Sequence, residues 1–233
     1  MLDPQLCYED DVLLGLYKPA GMPAQPDLSG DSSLLTWAES RWKQPLHLVN
    51  RLDRPVSGLM LLAKTAQAMT LLQTQFQQRK VCKEYLAVVA GTPPRSEGEL
   101  THFLIRNSRS QRVYACDEER PSAVRAVLRY RLLGRSERYA FLWVQPITGR
   151  HHQIRAQLAA IRCPVKGDVR YGARRANTNR SIHLHAWRLS FDHPLSGQKL
   201  CLEAPLPQTD TLWRLAAQML QQFSEEDDAS ARQ

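Results

Sequence analysis

Alternation of apolar and polar residues along the chain predicts short β-strands, because a strand with one buried face points every second side chain into the core. The segment RAVLRYRLL (125–133) shows this pattern, with Ala126, Leu128, Tyr130 and Leu132 on one face. Other segments of similar length are apolar or alternate in the same way. The predicted strands cover residues 12–18, 46–52, 58–64, 84–91, 123–133, 139–147, 181–191 and 199–205.

Apolar residues at every third or fourth position predict three helices between these strands. The helices cover residues 65–79, 151–162 and 209–220, and the last begins at an Asp or Thr N-cap. Most gaps between the predicted strands are too short for a crossover helix, so neighbouring strands should pair as hairpins. The pattern therefore predicts an α+β fold with a largely antiparallel sheet.

The chain of 233 residues is long enough for one sizeable domain or for two sub-domains that share a core. We expect residues 1–222 to form one domain, made of two sub-domains that share one sheet. The polar segment 23–33 is expected to be a long loop and is a candidate for a mobile flap. Residues 223–233 are rich in charged and polar side chains and are expected to form a disordered tail.

The positive charge is concentrated in one region of the chain. The formal net charge is +8, and residues 101–190 hold 18 Lys and Arg against five Asp and Glu. Every one of these cations except Lys166 is an arginine, which grips phosphate through paired hydrogen bonds and stacks on bases. A polyanion is the favoured partner, with RNA or DNA ahead of a membrane, although a solvated arginine-rich surface explains the same numbers.

The sequence disfavours several other classes of protein. No apolar run approaches the roughly 20 residues that cross a bilayer, and the acidic segment MLDPQLCYEDD lacks the features of a secretory signal. The five cysteines form no C-x-x-C pair and suit a reducing cytosol. No cysteine or carboxylate is spaced to complete a zinc site with His151, His152, His183 or His185, so we expect no metal.

The segment VNRLDRPVSGLMLLAK (49–64) places one carboxylate, Asp53, between Arg51 and Arg54 at a turn between two apolar strands. Pro55 disfavours a helix here, and an aspartate in such a turn often only accepts backbone N–H groups. Two flanking cations would keep Asp53 ionised, however, and a carboxylate anion can act as a nucleophile or stabilise a positive charge. Asp53 is therefore either a turn residue or a catalytic group.

A second charged element lies in PITGRHHQIRAQLAAIRCPVKGDVRYG (146–172). A helix that begins near His151 would place Arg155 and Arg162 on one face, with His151 one turn before Arg155. The helix N-terminus adds partial positive charge. Such a face could grip phosphates or pair with a buried carboxylate, whereas residues 165–172 are interpreted as a turn.

Several motifs, taken in this order, resemble those of the RNA pseudouridine synthases that modify large ribosomal RNA and tRNA. The resemblance covers roughly residues 10–207, and the chain is expected to lack the small N-terminal RNA-binding domain of some members. The motifs are LYKPAGMPAQP (16–26), RLDRPVSGLMLLAK (51–64), CKEYLAVVAG (82–91), TGRHHQIRAQLAAIRCPVKGDVRYG (148–172) and HLHAWRLSF (183–191).

The resemblance implies a mixed, mainly antiparallel sheet with flanking helices and a central catalytic cleft. It also implies that Asp53 is the nucleophile. Tyr85 would stack on the flipped base and help to remove a proton, and Arg155 would pair with the catalytic carboxylate. The chemistry needs neither a cofactor nor a metal.

Five further residues are expected to bind the substrate. The resemblance implies that Arg51 enters the RNA beside the extruded uridine and that Leu158 lines the pocket, and we expect His151 to stack or to contact phosphate. Asn50 and Val56 differ from the residues usual in the family and leave the identity of the substrate open. The expected substrate-binding residues are Arg51, Leu158, His151, Arg150 and Arg54.

These residues predict the isomerisation of specific uridines in structured rRNA or tRNA to pseudouridine, with the reacting base flipped out of its stack. The sequence does not decide whether Asp53 attacks the ribose or promotes elimination. RNA is the expected partner, without a membrane, and we expect a cytoplasmic monomer. The alternatives are an RNA-binding or chaperone protein with a dormant site and a hydrolase, although a hydrolase would usually need a second carboxylate.

Overall fold

The computed structural model describes residues 3–107, 109, 112–208 and 210–230, with side chains as far as residue 223. The strands are β1 Gln5–Glu9, β2 Leu13–Lys18, β3 His47–Leu48, β4 Ser57–Ala63, β5 Cys82–Ala90, β6 Glu97–Arg106, β7 Val113–Cys116, β8 Val124–Arg135, β9 Tyr139–Pro146, β10 Leu184–Asp192 and β11 Lys199–Glu203. The helices are α1 Leu34–Trp42, α2 Ala66–Gln77, α3 Gln153–Ala160 and α4 Thr211–Ser230.

The chain divides into two compact units, each made of two segments. Unit 1 comprises Met1–Glu84 and Thr178–Pro205. Unit 2 comprises Tyr85–Asn177 and Leu206–Gln233. The C-terminal part of the chain thus contributes β10 and β11 to the first unit and α4 to the second.

Unit 1 contains a mixed sheet with the strand order β1-β2-β4-β10-β11, and the short β3 also pairs with β4. The β4–β10 pair is parallel, whereas the other pairs are antiparallel. All seven residues of β4 are buried, and Ala68 and Leu72 of α2 join the core cluster that holds Leu59 and Leu61. A strand covered on both faces is apolar throughout, which explains why SGLMLLA does not alternate.

The two parallel strands approach closely at Gly58. Its φ is +125°, and an added Cβ would lie 2.2 Å from the carbonyl oxygen of Ala186, its partner on β10. Only glycine fits there, so the Ser57-Gly58 pair of the sequence begins a tightly packed strand.

Unit 2 contains an antiparallel sheet with the strand order β5-β9-β8-β6-β7. The alternation seen in the sequence of β8 buries Ala126, Leu128 and Tyr130, as predicted. Ala156 of α3 packs into a small core beside Ala126 and Val113 of the sheet. This packing fixes α3 on the sheet and so positions the charged residues that the helix carries.

The predicted α+β class, with a mixed, mainly antiparallel sheet and flanking helices, is confirmed. Each predicted strand segment contains a strand, and the three predicted helices correspond to α2, α3 and α4. Strands β1, β6 and β7 and helix α1 were not predicted from the sequence. Within the described part of the chain, no helix is both long and apolar enough to cross a membrane.

The C-terminal segment differs from the expectation of a disordered tail. Helix α4 continues to Ser230, so residues 223–230 are helical, while 231–233 lie outside the described residues. Extending an existing helix costs little, and the Glu and Ala residues of this segment favour helix. That residues 1–222 act as one domain stays a prediction.

We expect His185 to remain neutral in acid. Its side chain is fully buried, and Nδ1 lies 2.9 Å from Oγ of Ser57. Burial lowers the pKa of His185 from 6.5 to about 3. Between these values the unfolded chain binds a proton that the folded chain does not, so the contribution to stability is full above pH 6.5 and falls as the pH drops towards 3.

An NMR titration of the histidine ring protons tests this prediction. The His185 signal should not shift between neutral pH and about pH 4, and His185→Gln should reduce the acid-side slope of the free energy of unfolding. A His185 midpoint near its ordinary value would contradict the prediction.

Candidate active site

Asp53 begins the turn that leads into β4. Its carbonyl oxygen accepts the N–H of Val56 at 3.0 Å, which closes the turn. Just upstream, the side-chain oxygen of Asn50 accepts the N–H of Leu61 in β4 at 2.7 Å. Asp53 is half-buried and Arg51 is exposed. Asn50 therefore holds the segment before the turn against the strand, a role that its departure from the family pattern did not suggest.

A buried lysine, Lys18, holds this turn through a hydrogen bond to its backbone. Lys18 has no exposed surface, and its Nζ donates to the carbonyl oxygens of Pro19 at 3.0 Å, Met22 at 2.9 Å and Arg54 at 3.3 Å. Burial lowers the pKa of Lys18 to about 7, while the negative charge of Asp53 acts in the opposite direction. The ammonium thus joins the loop after β2 to the turn that carries Asp53.

The side chain of Arg54 joins the same turn to the polar loop 23–33. Its Nε donates to the carbonyl oxygen of Gly21 at 2.9 Å, and the guanidinium also pairs with Asp31 and lies 3.7 Å from Asp27. In return, the N–H of Gly21 donates to the carbonyl oxygen of Arg54 at 2.7 Å. Arg54 thus joins the turn to the loop, and its expected role in binding substrate beside Asp53 stays a prediction.

In unit 2, a buried polar network positions the start of α3. Oγ1 of Thr148 donates to Oε1 of Gln153 at 2.7 Å and accepts the N–H of Val127 at 2.9 Å. The amide nitrogen of Gln153 donates to the carbonyl oxygen of Val127, also at 2.9 Å, and Oε1 of Gln153 accepts the N–H of Arg150 at 3.0 Å. These bonds hold the turn that carries the exposed Arg150 and His151 against β8.

Two histidines stack on each other before α3. The rings of His151 and His152 lie 3.8 Å apart and nearly parallel. His152 has a φ of +54°, and its Nδ1 lies 2.9 Å from the hydroxyl of Tyr171, which accepts the N–H of Val113 at 3.0 Å. Tyr171 thus contacts the His152 ring, on which the exposed His151 ring stacks.

Arg155 forms a buried ion pair with Asp168. Its Nε lies 2.7 Å from Oδ2, and its Nη2 lies 3.0 Å from Oδ1, a two-pronged contact. The two side chains are 6% and 2% exposed, and the guanidinium lies 4.9 Å from the centre of the Tyr171 ring. The segment VKGDVRYG, interpreted from sequence only as a turn, therefore supplies two residues that orient Arg155.

Two expectations about α3 need correction. The helix begins at Gln153 and ends at Ala160, and Arg162 lies beyond the C-cap with a φ of +60°. Arg155 is buried and Arg162 is exposed, so the two do not share a helical face. Leu158 is fully buried, so in this structure it packs in the core and does not present a surface to a substrate.

The predicted site residues are divided between the two units. Unit 1 places Asp53 beside the charge of Lys18. Unit 2 contains the turn before α3 and the ion pair between Arg155 of α3 and Asp168 of the loop that follows. Tyr85, half-buried, is the first residue of unit 2 and pairs with Val144 of β9. The unit 1 residues are Arg51, Asp53 and Arg54, and the unit 2 residues are Tyr85, Arg150, His151, Arg155 and Leu158.

These groups suit chemistry on a nucleotide. A half-buried carboxylate can attack or stabilise an electron-poor sugar carbon. An aromatic ring can stack on a base, and arginines and a stacked histidine pair can contact bases or phosphates.

Comparison with known proteins decides the family. Residues 12–160 match the family described as RNA pseudouridylate synthase, which is more than half of the chain. The chain belongs to this family.

The sequences of several relatives align with most of this chain. The ribosomal large subunit pseudouridine synthase C of Rickettsia felis is 34% identical over 87% of this chain and 67% of its own length. The tRNA pseudouridine synthase C of Salmonella typhimurium is 31% identical over 88% and 86%. A solved human structure, RNA Pseudouridylate Synthase Domain Containing 4, superimposes with a TM-score of 0.74 at 25% identity and covers 93% of this chain and 92% of its own.

The synthase is therefore an isomerase that converts uridine in RNA to pseudouridine. The sequence-based expectations of family and activity are confirmed. Lys18 and Asp168, which the sequence analysis did not single out, are the residues that fix the two candidate charged groups.

Replacing Lys18 with methionine should destabilise the synthase. Lys18→Met keeps the buried volume but leaves the carbonyl oxygens of Pro19, Met22 and Arg54 without their donor, which should lower the free energy of unfolding by about 3 kcal/mol. Chemical denaturation measures the change. Lys80→Met, at an exposed position, is the matched control, and an equal effect of the two substitutions would contradict the anchoring role.

The Arg155–Asp168 pair should be far more important for stability than a surface pair. Asp168→Asn removes the charge that balances a buried guanidinium and should cost about 3–5 kcal/mol. Glu99→Gln breaks the exposed contact between Glu99 and Arg129 and should cost less than about 1 kcal/mol. Urea denaturation of both variants provides the comparison, and similar losses would show that the buried pair has no special role.

Proposed function

We propose that Asp53 is the nucleophile with which this synthase isomerises uridine. The observation that carries the proposal is the anchored turn: Asp53 is half-buried, and its turn is held by the buried ammonium of Lys18. A carboxylate fixed in this way loses little freedom when it reacts, because its position is set before the substrate binds.

The reaction requires C1′ of the ribose to exchange its bond to N1 of uracil for a bond to C5. The bond between C1′ of the ribose and N1 of uracil breaks, the base turns, and C1′ joins C5. The hydrogen on C5 then leaves as a proton, and N1 gains one, so that atoms balance without any external reactant. As the nucleophile, Asp53 bonds to C1′ when the C1′–N1 bond breaks and leaves C1′ when C5 bonds to it. In an elimination route it would instead take a proton from the ribose.

Tyr85 and Arg155 are proposed as the other catalytic residues. Tyr85 would stack on the flipped uracil and take part in removing the C5 proton, since a tyrosine offers both a ring face and a hydroxyl. Arg155 would stabilise the catalytic carboxylate. The pair with Asp168 holds the guanidinium in a fixed position through two of its five N–H donors.

The proposed substrate contacts are Arg51 and the turn before α3. Arg51 is exposed next to the Asp53 turn and suits entry into an RNA helix beside the flipped base. Arg150 and His151 are exposed on a turn that is fixed by Gln153 and can contact phosphates or bases. Leu158 would act from within the core rather than by touching the base, since it is fully buried.

We propose a structured rRNA or tRNA as the substrate. The relatives include enzymes named for the large ribosomal subunit and for tRNA, and the concentration of arginine in residues 101–190 suits a phosphate backbone. A cytoplasmic monomer fits this substrate and the free cysteines.

Removing the charge of Asp53 should abolish turnover without abolishing RNA binding. With RNA carrying tritium at C5 of uridine, wild-type protein should release tritium to water, because C5 loses its hydrogen when it joins C1′. Asp53→Asn should slow this release at least about a thousandfold. Asp11→Asn, at an exposed position in the same unit, should retain the wild-type rate.

The alternatives give different products in the same assay. A hydrolase would release free uracil, and an RNA-binding protein with a dormant site would release no label with either form. Equal release by wild type and Asp53→Asn would overturn the role of Asp53. Mapping pseudouridine in the RNA of cells that lack the protein would identify the target uridine.

A further inference from the structure

Helix α1 carries two tryptophans at the surface of unit 1. Ser33 caps the helix, and Leu34 and Ala38 bury its inner side. Trp37 and Trp42 are only half-buried, and their rings meet edge to face with centres 6.0 Å apart. Two large aromatic rings that keep exposed surface and are not part of the core are typical of a binding surface.

The first of two neighbouring cavities opens beside these rings. It is open to solvent and has a volume of about 540 Å³. The indole N–H of Trp42 donates to Oε1 of Glu9 at 2.7 Å, which fixes the ring. Lys64 lies 2.8 Å from the same oxygen and balances the charge of Glu9. The cavity is lined by Pro4, Leu6, Glu9, Trp37, Arg41 and Trp42.

The second cavity, of about 520 Å³, shares Trp37 and Arg41 with the first. Trp37 and Arg41 therefore link the two cavities. Among the described residues, those that line this cavity carry two positive charges and no negative one. They are Ser32, Thr36, Trp37, Ser40, Arg41 and Lys43.

We propose that the tryptophan face, defined as Trp37, Arg41, Trp42 and Lys43, binds an unpaired nucleotide of the RNA substrate outside the active site. The base would stack on the tryptophans in the first cavity. Its phosphate would contact Arg41 and Lys43 in the second cavity, with the three hydroxyl groups there as further donors. The identity of the polyanion as RNA rests on the proposed function.

The chemistry of the face favours a nucleotide over a protein partner. Aromatic rings interleaved with cations are the usual platform for single-stranded RNA, because every base has a face that can stack. Arg41 lies 6.0 Å from the centre of the Trp42 ring, so a cation already accompanies the aromatic surface. A stable protein interface buries roughly 800 Å² on each partner, whereas each of the two cavities is lined by only six of the described residues.

The site should be detectable by binding alone. With a fluorescein-labelled single-stranded oligouridylate as the probe, Trp37→Ala should weaken binding to full-length protein about fivefold to a hundredfold, the loss expected for one stacked base. Trp37→Phe should restore most of the affinity, which distinguishes stacking from a loss of folding. Leu71→Ala truncates an exposed apolar residue on α2 and is the matched control with no expected effect.

The phosphate contact has a separate signature. Lys43→Ala should reduce the slope of log affinity against log salt by about one, while Lys80→Ala, at another exposed position, should leave the slope unchanged. A probe that carries 4-thiouridine should crosslink to Trp37 or Trp42 on irradiation.

Two results would overturn the proposal: an affinity of Trp37→Ala equal to that of wild type, or crosslinks confined to other parts of the chain. A protein found on this face in place of RNA would do the same. These binding measurements do not depend on turnover, so they test the tryptophan face separately from the active site. The proposed role of Asp53 is tested by tritium release from wild type and Asp53→Asn.

Discussion

The buried ammonium of Lys18 is the constraint on which the candidate active site depends. A charged group without exposed surface must be surrounded by oxygen atoms, since burial of an unpaired charge is costly. Three carbonyl oxygens meet this need, and one of them belongs to Arg54, 36 residues further along the chain. The lysine of LYKPAG and the aspartate of RLDRP are thus two parts of one structure, in which the first fixes the backbone that presents the second.

Unit 2 also contains a buried cation that neighbouring groups hold in place, but here a carboxylate rather than carbonyl oxygens contacts it. Arg155 is buried and is balanced by Asp168, while Tyr171 covers the guanidinium with its ring. The buried amides of Gln153 and Gln157 satisfy backbone carbonyl oxygens of the sheet, so α3 is fixed by polar contacts as well as by packing. In unit 1 the carboxylate proposed for chemistry lies near a buried cation, whereas in unit 2 the buried cation is itself the group proposed for chemistry. In both units other residues hold the cation in place.

The sequence predicted those parts of the fold that depend on local patterns. Alternation predicted β8, because a strand buried on one face alternates apolar and polar residues. The apolar run predicted β4, because a strand buried on both faces is apolar throughout. Helix α1 was missed because it follows a polar loop and its tryptophans point partly to solvent, although Ser33 was an available capping signal.

The candidate site was predictable by resemblance but not in its supporting contacts. Asp53 and Arg155 stand in recognisable motifs, whereas Lys18 and Asp168 act through partners that only the folded chain brings near. The contact of Arg54 with the polar loop is also invisible in sequence, because both acids lie more than twenty residues away.

The proposed role of Asp53 depends on the position of its carboxylate and not only on its charge. Asp53→Glu tests this claim most directly, because it keeps the charge and moves the carboxylate by one methylene, about 1.5 Å. Under single-turnover conditions, the rate of pseudouridine formation in this variant should fall about a hundredfold or more while RNA affinity is retained. A wild-type rate in Asp53→Glu would show that any nearby negative charge suffices and would contradict the account.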